Sequence, residues 1–160
     1  ATISSPADIF TSTYDHYKIY IEYLFSTDSD SVLLQLGNSG GFTTAAYDYA
    51  YSGVRSSDSL LGGADAGSSW NLQGGTGTGY FNSASGGFGG IIDIFNPVAA
   101  QYSIMAAQLV WKNGQSDDAH IINIGGLIDS QTSHTKWKLL FAGSYLFNTG
   151  TIVRTYGVVK

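Results

Sequence analysis

The acidic side chains are the residues of this sequence that could perform hydrolytic chemistry. Hydrolysis of a glycan usually needs two carboxyl groups that flank the scissile bond. Among the 12 acidic residues, Glu22 is the single glutamate, and we expect it on a solvated strand face near Lys18. Asp93 stands between Ile92 and Ile94 and should point away from them, to solvent or to a hydrogen bond at a sheet end. This spacing indicates no catalytic pair, and we predict that the chain is not an enzyme.

Asp28 and Asp30 are close enough along the chain to suggest a cation site. Ca²⁺ takes oxygen ligands at short spacing. The EF-hand pattern with its glycine and terminal glutamate is absent, and an ordinary turn capped by aspartate explains the same residues. The glycine-rich residues 74–79 lack the Gly-Lys-Ser/Thr ending of a phosphate-binding loop. The sequence thus predicts no cofactor and leaves Asp28 and Asp30 as the candidate metal ligands.

Aromatic residues are the other chemical signal, because a sugar ring can stack its C–H face on an aromatic plane. The chain has 3 Trp, 11 Tyr and 8 Phe. Most of them should lie in the core, as we expect for Trp137, which is in phase with an apolar strand face. The candidate ligand-binding residues, which stand near glycine-rich or turn sequences, are Trp70, Tyr80, Phe81 and Trp111. The alternative for each of them is a place in the core.

The composition narrows the classes of partner. Charged residues make up 12% of the chain, about half the usual share in globular proteins. The net charge is −5 and the basic residues are scattered, whereas a nucleic-acid-binding surface needs clustered basic residues. No apolar run approaches the roughly 20 residues that span a bilayer, and the chain has no cysteine to form a disulfide. We therefore expect neither nucleic-acid binding nor membrane insertion.

Alternating apolar residues predict β-strands along most of the chain. In residues 17–25 the odd positions are all apolar or aromatic, whereas the even positions carry Lys18 and Glu22, as expected of a half-buried strand. The predicted strands are residues 17–25, 31–36, 47–51, 70–73, 90–96, 103–111, 120–124, 135–142 and 151–159. Turn signals such as Pro97 and Asn113-Gly114 separate them. Short strands at this spacing favour one all-β domain over residues 1–160, either a sandwich or a barrel.

Residues 52–90 differ from the rest because glycine is so frequent in them. We predict a long surface loop with one short strand around Trp70. Long loops are uncommon in compact domains and often functional, and exposed loops on a rigid scaffold commonly carry binding sites. We therefore expect any ligand specificity to lie in this span.

Several short motifs follow one another along almost the whole chain. They are Ile-Ser-Ser-Pro at residues 3–6, Tyr-x-x-Tyr-x-Ile-x-Ile at 14–21, Thr-Asp at 27–28, Leu-Gln-Leu at 34–36, Gly-Gly at 40–41, Tyr-x-Tyr at 47–49 and Gly-x-Ile-x-Ile-x-Asn-Pro at 90–97. The last motif is the segment 150–160, which ends in Tyr-Gly-Val-Val-Lys. Each motif alone is only a strand with a turn. Their order resembles that of bacteriophage tail-fibre and virion surface proteins.

The resemblance implies a jelly-roll-like antiparallel β-sandwich on the tail or capsid surface of a virion. It also implies a homotrimer that contacts other virion proteins, and it names no catalytic residue. The low charge and the many aromatic residues add indirect support for self-association, because a monomer would leave much apolar surface exposed to solvent.

Two functions follow from this resemblance. The first is a tail-fibre receptor-binding module that recognises a glycan of the host-cell surface. The alternative is a purely structural virion protein, a capsid decoration or fibre-trimerising domain without a ligand. Exposure of Trp70 and Tyr80 on an apical surface would favour the first function, and their burial between subunits would favour the second. A cell-surface depolymerase is disfavoured by the carboxylate pattern.

Overall fold

The computed structural model describes residues 2–24, 30–57, 60–75, 87–113 and 118–159. The regular elements in these residues are β-strands, and no helix that could cross a membrane is found among them. The strands are β1 (Thr2–Ser4), β2 (His16–Leu24), β3 (Val32–Asn38), β4 (Gly41–Phe42), β5 (Tyr47–Arg55), β6 (Leu60–Gly67), β7 (Trp70–Asn71), β8 (Phe88–Phe95), β9 (Ser103–Lys112), β10 (Ala119–Ile128), β11 (Lys136–Phe141) and β12 (Ile152–Val158).

These strands form two antiparallel sheets that pack against each other. The larger sheet has seven strands in the order β12-β2-β8-β9-β10-β5-β6. The smaller sheet has the order β1-β11-β3-β4, and β7 also pairs with β3. The antiparallel β-sandwich expected from the alternating sequence is thereby confirmed.

The core lies between the two sheets and is filled by alternate residues of each strand. In β9 every second residue is buried, from Ser103 to Trp111, because successive side chains point to opposite faces of a sheet. The largest fully buried side chains include Trp70, Trp111, Tyr47, Phe10 and Phe88. Burying one large apolar side chain stabilises a fold by about 1.5–3 kcal/mol, so this shared layer holds the sandwich together.

Strand β2 departs from the alternation that its sequence predicts. A register shift between Ile21 and Leu24 interrupts its pairing with β8. Leu24 is therefore buried, whereas Tyr23, which the sequence places on the apolar face, is 40% exposed. A β-bulge of this kind turns the following side chains to the other face, because the period of a strand is two residues.

The prediction of a long surface loop over residues 52–90 needs correction. Strand β5 continues to Arg55, and β6 pairs with it antiparallel from Leu60 to Gly67. The sequence does not predict β6, because its side chains are mostly small and show no apolar alternation. The pairing with β5 forms a strand that local propensity does not favour. Residues 76–86, in the same span, lie outside the described residues.

Candidate functional site

The seven-stranded sheet has one face on the core and one face open. In β9 and β10 the residues that alternate with buried ones are exposed, and we call the exposed side of this sheet the outer face. Its composition changes across the sheet. The polar half lies on β12, β2 and β8. Its polar side chains include Lys18, Tyr20, Glu22, Asp93, Arg154 and Tyr156, and they surround one exposed apolar residue, Ile91. The apolar half lies on β9, β10, β5 and β6.

A groove of about 390 Å³ crosses the polar half. The rings of Tyr20 and Tyr156 line it edge to face, with centroids 5.5 Å apart, and Lys18 and Glu22 lie beside them. The ladder of β12 and β2 brings these residues together, because Tyr156 lies opposite Lys18 and Arg154 lies opposite Tyr20. Tyr156 is 50% exposed, so its ring is accessible from solvent.

A carboxylate shared by two basic side chains stands next to the groove. Asp93 Oδ1 lies 2.6 Å from Lys18 Nζ and 2.5 Å from His16 Nε2, and the His16 ring stacks on Phe95. Partial burial acts to raise the pKa of Asp93, but hydrogen bonds from Lys18 and His16 outweigh it and hold that pKa below its usual value. Asp93 therefore stays ionised and fixes Lys18 at the edge of the groove.

Glu22 and Arg154 form the second ion pair of the polar half. Arg154 Nη1 donates to Glu22 Oε1 over 2.8 Å, and both side chains are largely exposed. Exposed pairs of this kind contribute little to stability. Their hydrogen-bonding groups are therefore available to a ligand in the groove at small cost to the fold.

The tryptophans considered as ligand contacts lie in the core. Trp70 and Trp111 are fully buried, with Trp70 packed edge to face on Tyr47 and Trp111 packed against Phe88. Neither indole ring is accessible for stacking on a sugar, which corrects that expectation in favour of its core alternative. Trp137 is also in the core, as predicted. Tyr80 and Phe81 lie outside the described residues.

Asp30 serves as a backbone cap. One of its oxygens accepts a hydrogen bond from Ser31 N at 2.7 Å, and the other accepts one from Gly143 N. This arrangement supports the ordinary turn rather than the cation site. Asp28 lies outside the described residues. Within the described ranges, no cluster of three or more His, Cys, Asp or Glu residues could hold a metal ion.

A serine and a histidine in contact are the one nucleophilic arrangement that we find among the described residues. Ser103 Oγ lies 2.9 Å from His134 Nδ1, and Thr43 Oγ1 lies 3.0 Å from His134 Nε2. Ser103 and His134 are fully buried, and burial lowers the pKa of His134 to about 4. The neutral ring donates to one hydroxyl and accepts from the other. A nucleophile must reach its substrate, so this contact cross-links the fold.

Sequence reasoning placed Lys18 and Glu22 on a solvated strand face but did not single out the two tyrosines of the groove. Tyr20 and Tyr156 were visible only as members of strand motifs, and nothing in the order of residues says that β12 pairs with β2. The available signal was periodicity, because Tyr20 occupies an even position of β2, on the side of Lys18 and Glu22.

The fold and its surfaces define the chain as an antiparallel β-sandwich with an open, grooved sheet face. In comparisons with known proteins, no protein-family model, curated protein or solved structure matches the chain. The resemblance to phage tail-fibre and virion surface proteins therefore stays a prediction from the sequence.

Proposed function

We propose that the chain is a recognition module of a bacteriophage virion that binds a glycan of the host-cell surface in the groove lined by Tyr20 and Tyr156. The sequence resemblance supplies the phage context. The observation that carries the choice of ligand is the pair of tyrosine rings set beside the charged groups of Lys18 and Glu22.

The groove combines the two kinds of contact that a sugar requires. The C–H face of a pyranose ring would lie on the exposed ring of Tyr156, while its hydroxyl groups would meet Lys18 and Glu22. Hydrogen bonds to charged groups are stronger than neutral ones. Small-molecule sites commonly pair aromatic walls with a few convergent polar groups, in volumes similar to this one.

The same residues favour binding over hydrolysis. A glycosidase needs a carboxylic acid that stays protonated until it donates to the leaving group, which requires a raised pKa. The pKa of Asp93 is instead lowered, and Glu22 is bound to Arg154. We therefore propose a module without catalytic activity.

A structural virion protein without a ligand is the second candidate function. The apolar half of the outer face favours it, because exposed aliphatic side chains on a broad sheet are typical of contact surfaces. The homotrimer implied by the sequence resemblance belongs to either function and remains to be measured.

A glycan array tests the first function, with bacterial capsular and lipopolysaccharide oligosaccharides as probes. We expect the purified chain to bind a subset of them, and Tyr156→Ala to weaken that binding by about tenfold through loss of the stacking ring. Tyr102→Ala is the matched control, since Tyr102 is 47% exposed and lies outside the groove. Its binding should equal that of the unchanged chain.

Two outcomes would count against this function. If the chain binds no oligosaccharide, the structural role is favoured. If it binds but both tyrosine variants bind equally well, the glycan lies elsewhere and the groove is the wrong site. Melting temperatures of the variants should agree within a few degrees, because both side chains lie at the surface.

A further inference from the structure

The charged groups that line the groove are already paired with groups of opposite charge. Lys18 Nζ donates to Asp93 Oδ1 over 2.6 Å, and Arg154 Nη1 donates to Glu22 Oε1 over 2.8 Å. Lys18 and Glu22 line the groove, and their partners lie beside it. The four side chains are 21% to 50% exposed, so a ligand can reach them. The groove therefore presents one positive and one negative group, and the two ion pairs together carry no net charge.

The register of the sheet holds both pairs in place. Lys18 of β2 lies directly opposite Asp93 of β8. Arg154 of β12 lies opposite Tyr20, and Glu22 is two residues farther along β2 on the same face. Each cation thus has its carboxylate as a neighbour on the sheet. The two carboxylates are fixed parts of the site, in contrast to counter-ions that a ligand could displace into solvent.

We infer that the groove selects a neutral glycan over an acidic one, that is, a chain of uncharged hexoses over one that contains uronic acids. The inference rests on the proposed function and deepens it by naming the class of glycan. It assigns Glu22 and Asp93 as the residues that determine this class, because they neutralise the cations that an acidic sugar would need.

A carboxylate on the ligand would meet a competitor at each cation. It could bind Arg154 only by displacing Glu22, and it could bind Lys18 only by displacing Asp93. Either exchange would leave a carboxylate of the chain without its partner and beside a second negative charge. Like charges at this separation repel, and they repel more strongly where a bound sugar ring excludes water.

A hydroxyl group meets no such competition. It both donates and accepts hydrogen bonds, whereas an ionised carboxylate only accepts them. Arg154 binds one oxygen of Glu22, so the other oxygen can accept from a sugar hydroxyl. An ammonium group has three N–H donors, and Lys18 gives one of them to Asp93. Neutral sugar hydroxyls can therefore bind both groups without breaking either ion pair.

The charge of the whole chain acts in the same direction. Its net charge is −5, which repels a polyanion at long range. Salt screens this repulsion over about 10 Å at 0.1 M, whereas the paired groups act at contact distance. Substitutions that change the net charge equally, inside and outside the groove, separate the two contributions.

The experiment compares two forms of one oligosaccharide that differ in charge. Each capsular or lipopolysaccharide oligosaccharide that binds on the array is converted chemically. In neutral ones the C6 primary alcohols are oxidised to carboxylates, and in acidic ones the carboxylates are reduced to alcohols. Calorimetry with the full chain at 0.1 M salt measures both dissociation constants. We expect the neutral form to bind at least about tenfold more tightly. Equal binding, or tighter binding of the acidic form, would overturn the inference.

Two substitutions that remove the same charge locate the cause. Glu22→Gln keeps the length of the side chain but leaves Arg154 without its carboxylate, so this variant should bind the acidic form at least about tenfold more tightly than the unchanged chain does. Asp48→Asn is the matched control, because Asp48 is exposed on β5 of the same sheet and lies outside the groove. Its preference should equal that of the unchanged chain. Equal preferences in the two variants would show that Glu22 does not determine the class of glycan.

The outcomes also separate this inference from the proposed function. If the acidic form binds more tightly and Tyr156→Ala weakens that binding, the groove binds a glycan but the inference about its class is wrong. If no oligosaccharide of the array binds, the proposed function fails and the inference fails with it.

Discussion

At the scale of single residues, location decides what each chemical group can do. Trp70 and the exposed Tyr156 both offer a ring for stacking, but only the tyrosine is accessible to solvent. Ser103 and His134 have the hydrogen-bonded contact of a nucleophile and its base, yet both are sealed in the core. The candidate site therefore rests on exposed residues of the outer face.

Trp70 provides a test of burial. Because its indole is fully buried between the sheets, Trp70→Ala should destabilise the fold by about 3–5 kcal/mol. Chemical denaturation measures this loss. Tyr102→Ala, which removes an exposed ring, is the control and should change the free energy of unfolding by less than about 0.5 kcal/mol. A small effect of the Trp70 substitution would contradict its place in the core.

His134 makes stability depend on pH. Its pKa is 6.5 when exposed and about 4 in the fold, so the unfolded chain binds a proton more readily. The stability due to the neutral ring is complete above pH 6.5 and is lost as the pH falls to 4, by about 3 kcal/mol. Denaturation at several pH values should show this slope. Asp93 adds a second pH dependence. Because the fold lowers the pKa of this carboxyl below its usual value, the stability that it contributes is lost only at lower pH.

A variant without the imidazole isolates the effect of His134. Gln at this position keeps groups that can hydrogen-bond to Ser103 and Thr43 but does not titrate. His134→Gln should therefore lack most of the slope between pH 6.5 and 4. If the variant and the unchanged chain lose stability in parallel over that window, His134 is not its source.

At the scale of elements, cross-strand register determines which residues share a surface. The groove exists because β12 pairs with β2, and the outer face is shallow at Gly125 because β10 places that residue between Ala106 and Ala50. Each cross-strand row of the apolar half draws its members from two pairs of consecutive strands, β5 with β6 and β9 with β10, which are separated along the chain. A shift of one residue in any pairing would move those side chains to the core face.

Two glycines of the central strands test this register. An added Cβ at Gly53 would lie 2.2 Å from the carbonyl oxygen of Ile121, whereas one at Gly125 meets nothing within 4 Å. Gly53→Ala should thus cost about 1–3 kcal/mol, as overpacking does. Gly125→Ala should stabilise by about 0.5–1 kcal/mol, because alanine is less flexible in the unfolded chain. Equal effects in denaturation would show that β5 and β10 do not pair in this register.

At the scale of the whole molecule, the outer face combines a charged, aromatic groove with an uncharged, aliphatic surface. The two halves lie side by side on one sheet, so a ligand in the groove and a partner on the apolar half would approach the molecule from the same side.

The sequence by itself determined the all-β class and most strands, because the alternation of apolar and polar residues in a strand is a local property that can be read directly from the order of residues. β9 shows this, since its predicted and observed bounds differ by one residue. It could not indicate β6, whose small side chains show no alternation, and it could not decide the burial of Trp70, which stands in a glycine-rich span of the sequence. Tertiary structure decided the groove and the apolar rows. The groove needs the pairing of β12 with β2, and the rows need the pairing of β10 with β5. Pairing between strands so distant along the chain depends on the whole sheet rather than on any one segment.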